Sequence, residues 1–365
     1  MNVFWETFMT ISDSQIQRAA VIGAGAWGTA LARHLAENSL TVKIWAYEKE
    51  VVEAINTQKE NTLFLPGVPL PASLTATVSF YDVLEGADFL LLAVPSHAMR
   101  SVLTKMQPIL SEPLPIVVAT KGIEEDTLKL MSQVLNELLP ATWSPGITIL
   151  TGPSFAKEVC QSKLTTILLA GQDSTLLAKL QTVFKASFFR VYTSSDMIGA
   201  QLGGALKNVM AIAAGVVDGL NLGANARAAL ITRGLAEIIR LGSALGADVH
   251  TFYGLSGLGD LVLTCTGSLS RNHTVGLKIG QRESLEHITK DTITVAEGIR
   301  TTRAAMNLAT QLQVDMPIVQ GVHALLFEGK AARQVVEDLM SRLAKEETYL
   351  SYKSEPSSRD SSSEA

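Results

Sequence analysis

The hydrophobic pattern changes period about halfway along the chain. Up to residue 194, short and nearly continuous apolar runs recur at Ala19–Ile22, Thr41–Trp45, Asp88–Val94, Ile116–Ala119, Ile147–Leu150, Thr165–Ala170 and Phe188–Tyr192. Runs of this kind suit strands covered on both faces, and they predict an α/β domain around a mostly parallel sheet of about eight strands. After Tyr192 the strand signal fades and helical spacing takes over. A domain boundary is therefore expected near Ser194–Asp196, where serine and aspartate also suit a helix N-cap. The expected organisation is an extension over 1–17, the α/β domain over 18–194, a helical domain over 195–348, and a Ser/Glu-rich disordered tail over 349–365.

One stretch of the helical half stands apart. Ile198–Val217 is twenty residues of small or apolar side chains with a single charge, Lys207. So little polarity on any face predicts a helix buried on most sides. An ammonium there is desolvated, which pulls its pKa towards the range of an acid/base catalyst. A lysine that snorkels outwards or pairs with a buried carboxylate is the alternative. The stretch is long enough to cross a membrane, but Gln201, Lys207 and Asn208 occupy its middle and no basic cluster follows, so no integral membrane segment is expected.

The first apolar run ends in Gly23-Ala24-Gly25-Ala26-Trp27-Gly28, and Thr29–Glu37 then has helical spacing. Strand, glycine turn and helix are the context of a dinucleotide fingerprint. Gly23 makes the tight turn, Gly25 lets a pyrophosphate approach the backbone, and Gly28 lets the helix pack on the strand. The next strand ends at Tyr47 and Glu48, about where the adenosine ribose is read; Glu48 suits ribose hydroxyls, Lys49 is adjacent, and NAD versus NADP stays open. Ligands of open α/β sheets lie beyond the carboxyl ends of the strands, where His97, Lys121 and the loop Thr151–Ala156 fall. Lys121 follows a buried strand and precedes a glycine, so it can aim at an anionic or carbonyl oxygen. His97 has no visible partner and reads as a loop histidine.

Farther on, Ala224–Leu245 is an amphipathic helix whose Arg227, Arg233, Glu237 and Arg240 read as solvated or interface charges. Gly254–Gly259 precedes Asp260, which suits a helix start; capping alone and the fixing and polarising of Lys207 are both open to it. In Ser268–His273, Arg271 and Asn272 offer a forked cation and amide donors for phosphate oxygens, with Ser270 adding a hydroxyl. A proline at 317 is placed to start a helix.

Length and composition narrow the class. At 365 residues, two domains are expected; 47% hydrophobic and 18% charged residues with net charge −5 describe an ordinary globular protein. No basic balance points to nucleic acid. Cys160 and Cys265 are far apart and outside any metal-ligand spacing, and the N-terminus lacks a signal-peptide pattern, so a metal-free, cytoplasmic protein is expected.

Taken in order, GAGAWGTALA, FLPG, AVPSH, ATKG, GPSFAKE, GGALKNV, NARAALITRGLAE, GLGDLVLTCT and SRN give the chain a resemblance to bacterial NAD(P)-dependent glycerol-3-phosphate dehydrogenases, from about Ala19 to Leu343. The resemblance implies a Rossmann-type N-terminal domain, an all-α C-terminal domain and a homodimer. It implies NAD(P) as cofactor and a phosphorylated triose as substrate, with dihydroxyacetone phosphate reduced to sn-glycerol 3-phosphate for phospholipid synthesis. It places Lys207 at the proton-transfer position and Lys121, Gly152, Ser154, Asp260, Ser270, Arg271 and Asn272 at substrate positions. Ala26, Trp27, Tyr47, Lys121, Ala156, Arg271, Val295 and Glu297 fall on cofactor positions. Many members carry arginine or histidine in place of Tyr47 and arginine in place of His273, and VAEG stands for the usual VVEG. A dehydrogenase of hydroxyacyl or other phosphosugar substrates and a nucleotide-sensing regulator are the rival readings.

Overall fold

The computed structural model describes residues 16–290, 296–344 and 347. Most of the N-terminal extension, Val295 and the C-terminal tail lie outside the described residues. Among the described residues, ten strands occur in the first half: β1 Arg18–Ile22, β2 Thr41–Trp45, β3 Glu60–Asn61, β4 Leu65–Pro69, β5 Leu74–Thr77, β6 Phe89–Leu92, β7 Ile116–Val118, β8 Ile147–Thr151, β9 Thr165–Gly171 and β10 Phe189–Ser194. Eight of them form one sheet in the order β10-β9-β8-β7-β6-β1-β2-β5. Neighbours run parallel except β8 and β9.

Alternate residues of each strand feed opposite layers, as the pleat requires. Val21, Ile44, Leu91 and Val117 pack into one core, and Ala20, Ile22, Leu90, Leu92 and Val118 into the other. Because both faces are covered by helices, the strands read as continuous apolar runs. β1 lies between β2 and β6, so the strand order reverses beside it and a ligand crevice opens at its carboxyl end. β5 and the β3/β4 hairpin have no clear sequence signal, because two prolines and a glycine interrupt Leu65–Pro69. The hairpin nevertheless braces the turn after β1. Fully buried Asn61 donates its amide to the carbonyl of Ala24 and to Thr29 Oγ1, each at 2.8 Å.

The helical half is built around Met197–Gly219. Asp196 caps it, accepting from the Gly199 N–H at 2.9 Å. This helix passes a membrane span's test of length and hydropathy, yet its apolar window is wholly buried inside the protein, so it is the core helix that the lack of polar faces predicts. Helices Gly223–Ala244, Asp260–Thr266, Arg271–Gly280, Glu297–Gln311 and Pro317–Phe327 surround it. Its tightest neighbour is Arg271–Gly280, and glycines on both helices allow the approach. A Cβ at Gly215 would fall 2.0 Å from the His273 carbonyl, and one at Gly276 would fall 1.9 Å from the Ile212 carbonyl. The Gly223–Ala244 helix differs from expectation at one position. Glu237 is 1% exposed rather than solvated, because its carboxylate accepts the Ile318 and Val319 N–H groups at 2.7 and 3.2 Å and so caps the Pro317–Phe327 helix. Burial pushes its pKa up to about 7, against the pull of those two bonds.

The glycine contact has a direct test. Gly276→Ala forces a methyl into backbone that cannot retreat alone, so it is expected to cost about 2 kcal/mol or more of unfolding free energy. The measurement is the midpoint of urea unfolding; an unchanged midpoint would show that the helices can separate freely.

Candidate active site

Three elements meet at one carboxylate. Asp260 is the first residue of the Asp260–Thr266 helix, which follows a π-helical turn over Leu255–Gly259, and it has no exposed surface. Its Oδ1 accepts from Lys207 Nζ at 2.5 Å, and its Oδ2 accepts from Lys121 Nζ, on the loop after β7, at 2.7 Å. Thr264, one turn along, accepts a second Lys207 N–H at 2.9 Å and donates to the Asp260 carbonyl at 2.6 Å. Lys121 donates also to the carbonyl of Gly152 at 3.1 Å. An ammonium carries three donors. Each lysine therefore has two committed to the protein and one left for a ligand.

The electrostatics follow from burial. Lys207 is 8% exposed, and desolvation lowers its pKa to about 8, with the Asp260 charge opposing the shift and the Lys121 charge adding to it. Glycine shapes the approach of Lys121. A Cβ at Gly204, three residues before Lys207, would lie 3.6 Å from the Lys121 side chain and 2.6 Å from Thr151 Oγ1. Gly152 takes φ +137°, a conformation glycine adopts freely, in the turn whose carbonyl Lys121 engages. Ser154 Oγ donates to that same carbonyl at 3.0 Å.

The residues expected to meet a phosphate lie at the start of the Arg271–Gly280 helix. Ser270 caps it, accepting from the His273 N–H at 3.2 Å. Arg271 is its first residue; its side chain is open to solvent but walled by protein, and this partial desolvation lowers its pKa while the Glu297 charge opposes the shift. Asn272 departs from the expectation of a free amide. Its Nδ2 donates to Asn208 Oδ1 and its Oδ1 accepts from the Gly298 N–H, both at 2.9 Å, so one amide hydrogen remains for a ligand.

At the carboxyl end of β1 the glycine turn has the shape of a pyrophosphate cradle. Gly23 sits at φ +113°, and a Cβ at Gly28 would lie 1.9 Å from the Gly23 carbonyl. Around Gly25 there is open space instead, with nothing within 4 Å of a Cβ. The Ala26–Glu37 helix starts there, and its first N–H groups have no intrahelical acceptors. Trp27 Nε1 is buried without a hydrogen-bond partner. Tyr47 is 79% exposed at the end of β2, and Ala156, half-buried, opens the Ala156–Cys160 helix. These residues fit a dinucleotide. Glu297 lies where the two halves meet and accepts from Ser96 Oγ at 2.8 Å; burial raises its pKa, and Ser96 opposes that shift. Val295 lies outside the described residues, and His97 is exposed and joins none of these bonds.

Sequence reasoning misses Thr264, Asn208 and Ser96. For Thr264 a signal exists, since it lies four residues after Asp260 and hence on the same helical face. Asn208 and Ser96 carry no such local mark.

Residues 18–177 match the family described as NAD-dependent glycerol-3-phosphate dehydrogenase N-terminus, and residues 196–337 match its C-terminus. A Geobacter metallireducens protein named as an NAD(P)+ glycerol-3-phosphate dehydrogenase is 52% identical over 331 residues, which are 91% of this chain and 99% of that protein. A Myxococcus xanthus protein of the same name is 48% identical over 330 residues, 90% of this chain and 98% of its own. The crystal structure of the Coxiella burnetii glycerol-3-phosphate dehydrogenase aligns with TM-score 0.85 at 38% identity, covering 89% of this chain and 99% of that one. With both halves matched and close relatives spanning nine-tenths of its length, the chain belongs to the NAD(P)-dependent glycerol-3-phosphate dehydrogenase family.

Proposed function

We propose that the protein reversibly reduces dihydroxyacetone phosphate to sn-glycerol 3-phosphate with NAD(P)H, supplying glycerophospholipid synthesis. The observation that carries this reading is the Asp260 carboxylate shared by Lys207 and Lys121. The family resemblance further supports a cytoplasmic homodimer.

The nicotinamide cofactor supplies or accepts the hydride. Lys207, as ammonium, gives a proton to the alkoxide formed in reduction; as neutral amine it takes that proton back in oxidation. Lys121 turns its remaining N–H towards the substrate oxygens. Asp260 holds both amines in place and keeps Lys207 from losing its proton too early, since its charge raises the Lys207 pKa. Arg271 meets the phosphate, with Ser270 and the remaining Asn272 N–H as further donors; Ser154, whose hydroxyl hydrogen goes to the Gly152 carbonyl, donates to it only by turning from that carbonyl. Lys207, Lys121 and Arg271 outnumber the carboxylates that face them, Asp260 and Glu297, so the site favours an anionic substrate.

Initial rates with dihydroxyacetone phosphate, hydroxyacyl and other phosphosugar substrates, against both reduced cofactors, test the proposal. Efficient use of any substrate but the triose phosphate, or cofactor binding without turnover, would overturn it. Four outcomes follow from the geometry. The reductive rate should fall as pH rises through about 8, where Lys207 loses its proton, and the oxidative rate should rise there; Asp260→Asn should move both limbs to lower pH. Lys207→Ala should cut turnover by about 100-fold or more with cofactor affinity nearly unchanged. Arg271→Ala should raise the triose phosphate KM by about tenfold or more, the worth of a charged hydrogen bond. Gly25→Ala enters open space at an ordinary φ of −66°, so thermal stability should hold within about 0.5 kcal/mol while NADH affinity drops steeply in a fluorescence titration.

A further inference from the structure

The loop after β6 makes a contact across the two halves that the reaction above does not use. Ser96 is 2% exposed and donates Oγ to Glu297 Oε2 at 2.8 Å. Gly122, next to Lys121, leaves room for it: the residue sits at φ +153°, and a Cβ there would lie 2.5 Å from Ser96 Oγ. Glu297 and Gly298 open the Glu297–Gln311 helix, and these two consecutive residues address two consecutive residues of the anion site. The Glu297 charge acts on Arg271. The Gly298 N–H donates to Asn272 Oδ1 at 2.9 Å. No slack exists at this point, since a Cβ at Gly298 would fall 2.7 Å from both Asn272 Oδ1 and the Asn208 carbonyl. Asn272 in turn donates to Asn208, the residue after Lys207.

A shift of this helix start therefore displaces the Asn272 amide and the counter-charge of Arg271 together. We propose that Ser96 is a positioning residue for phosphate binding: by holding Glu297 it sets the helix start against which Arg271 and Asn272 are placed, so a side chain of the nucleotide half tunes substrate affinity in the helical half. This rests on the reading of Arg271 and Asn272 as the phosphate site. A bond that merely glued the halves together would affect stability and leave affinity alone.

The test is a double-mutant cycle read by calorimetry, with glycerol 3-phosphate titrated into protein saturated with NADH, where no turnover follows. Ser96→Ala is expected to raise Kd about five- to tenfold in the otherwise native protein, in the usual range of coupling between sites, and less than about twofold in the Glu297→Ala background, because its effect passes through Glu297. Ser96→Cys, nearly the same shape but a weak donor, takes the place of Ser96→Ala if the alanine variant does not fold. A Kd unchanged by either substitution, or raised by the same factor in both backgrounds, overturns the proposal. Arg271→Ala in the same assay separates the two claims. If it leaves Kd unchanged, the phosphate-site reading falls; if it weakens binding while Ser96→Ala does not, the role of Ser96 alone falls.

Discussion

The structure turns on a carboxylate that has no access to water and is shared by two lysines. A buried aspartate is costly unless ionic or hydrogen-bonding partners surround it, and a buried ammonium likewise. Asp260, Lys207 and Lys121 solve this jointly, with Thr264 and the Gly152 carbonyl taking up the donors that remain inside. The three groups come from the core helix, the helix after the glycine-rich turn, and the end of β7. Their meeting therefore holds the helical half in a definite place against the sheet.

Close packing is what makes that meeting possible. The core helix carries so few bulky side chains that backbone approaches backbone along the Arg271–Gly280 helix, which sets Arg271 and Asn272 within a short chain of hydrogen bonds of Lys207. Gly204 lets the Lys121 side chain lie along the same helix, beside Thr151. The remaining polar groups on that helix have similar duties. Gln201 binds the backbone and side chain of Ser132 in the nucleotide half, and Asn208 anchors Asn272. A helix apolar enough to pass for a membrane span is in this way the structural centre of the candidate catalytic cleft.

One edge of the sheet gathers the candidate residues for both ligands. The glycine turn follows β1, Ser96 follows β6, Lys121 follows β7 and Gly152 follows β8, so the carboxyl ends of four neighbouring strands form a single wall. Parallel strands place all those ends together, and the antiparallel β9 closes the wall on the far side.

The sequence by itself determined the elements and the unusual residues among them. Apolar runs covered on both faces announce the strands, three spaced glycines announce the nucleotide turn, and one charge among twenty apolar or small residues announces Lys207 as buried. Asp260 after a glycine-rich stretch announces a helix start. These are local signals, since periodicity and turn chemistry report only which side of a segment meets the interior. Only the tertiary structure decided the partnerships. That Asp260 holds Lys121 as well as Lys207, that the Asn272 amide is largely committed to Asn208 and Gly298, that Glu237 turns inward to cap another helix, and that Ser96 reaches Glu297 across 201 positions have no local signature. Each depends on how distant elements are set against one another, and a side chain of the same type and spacing could as well have faced water.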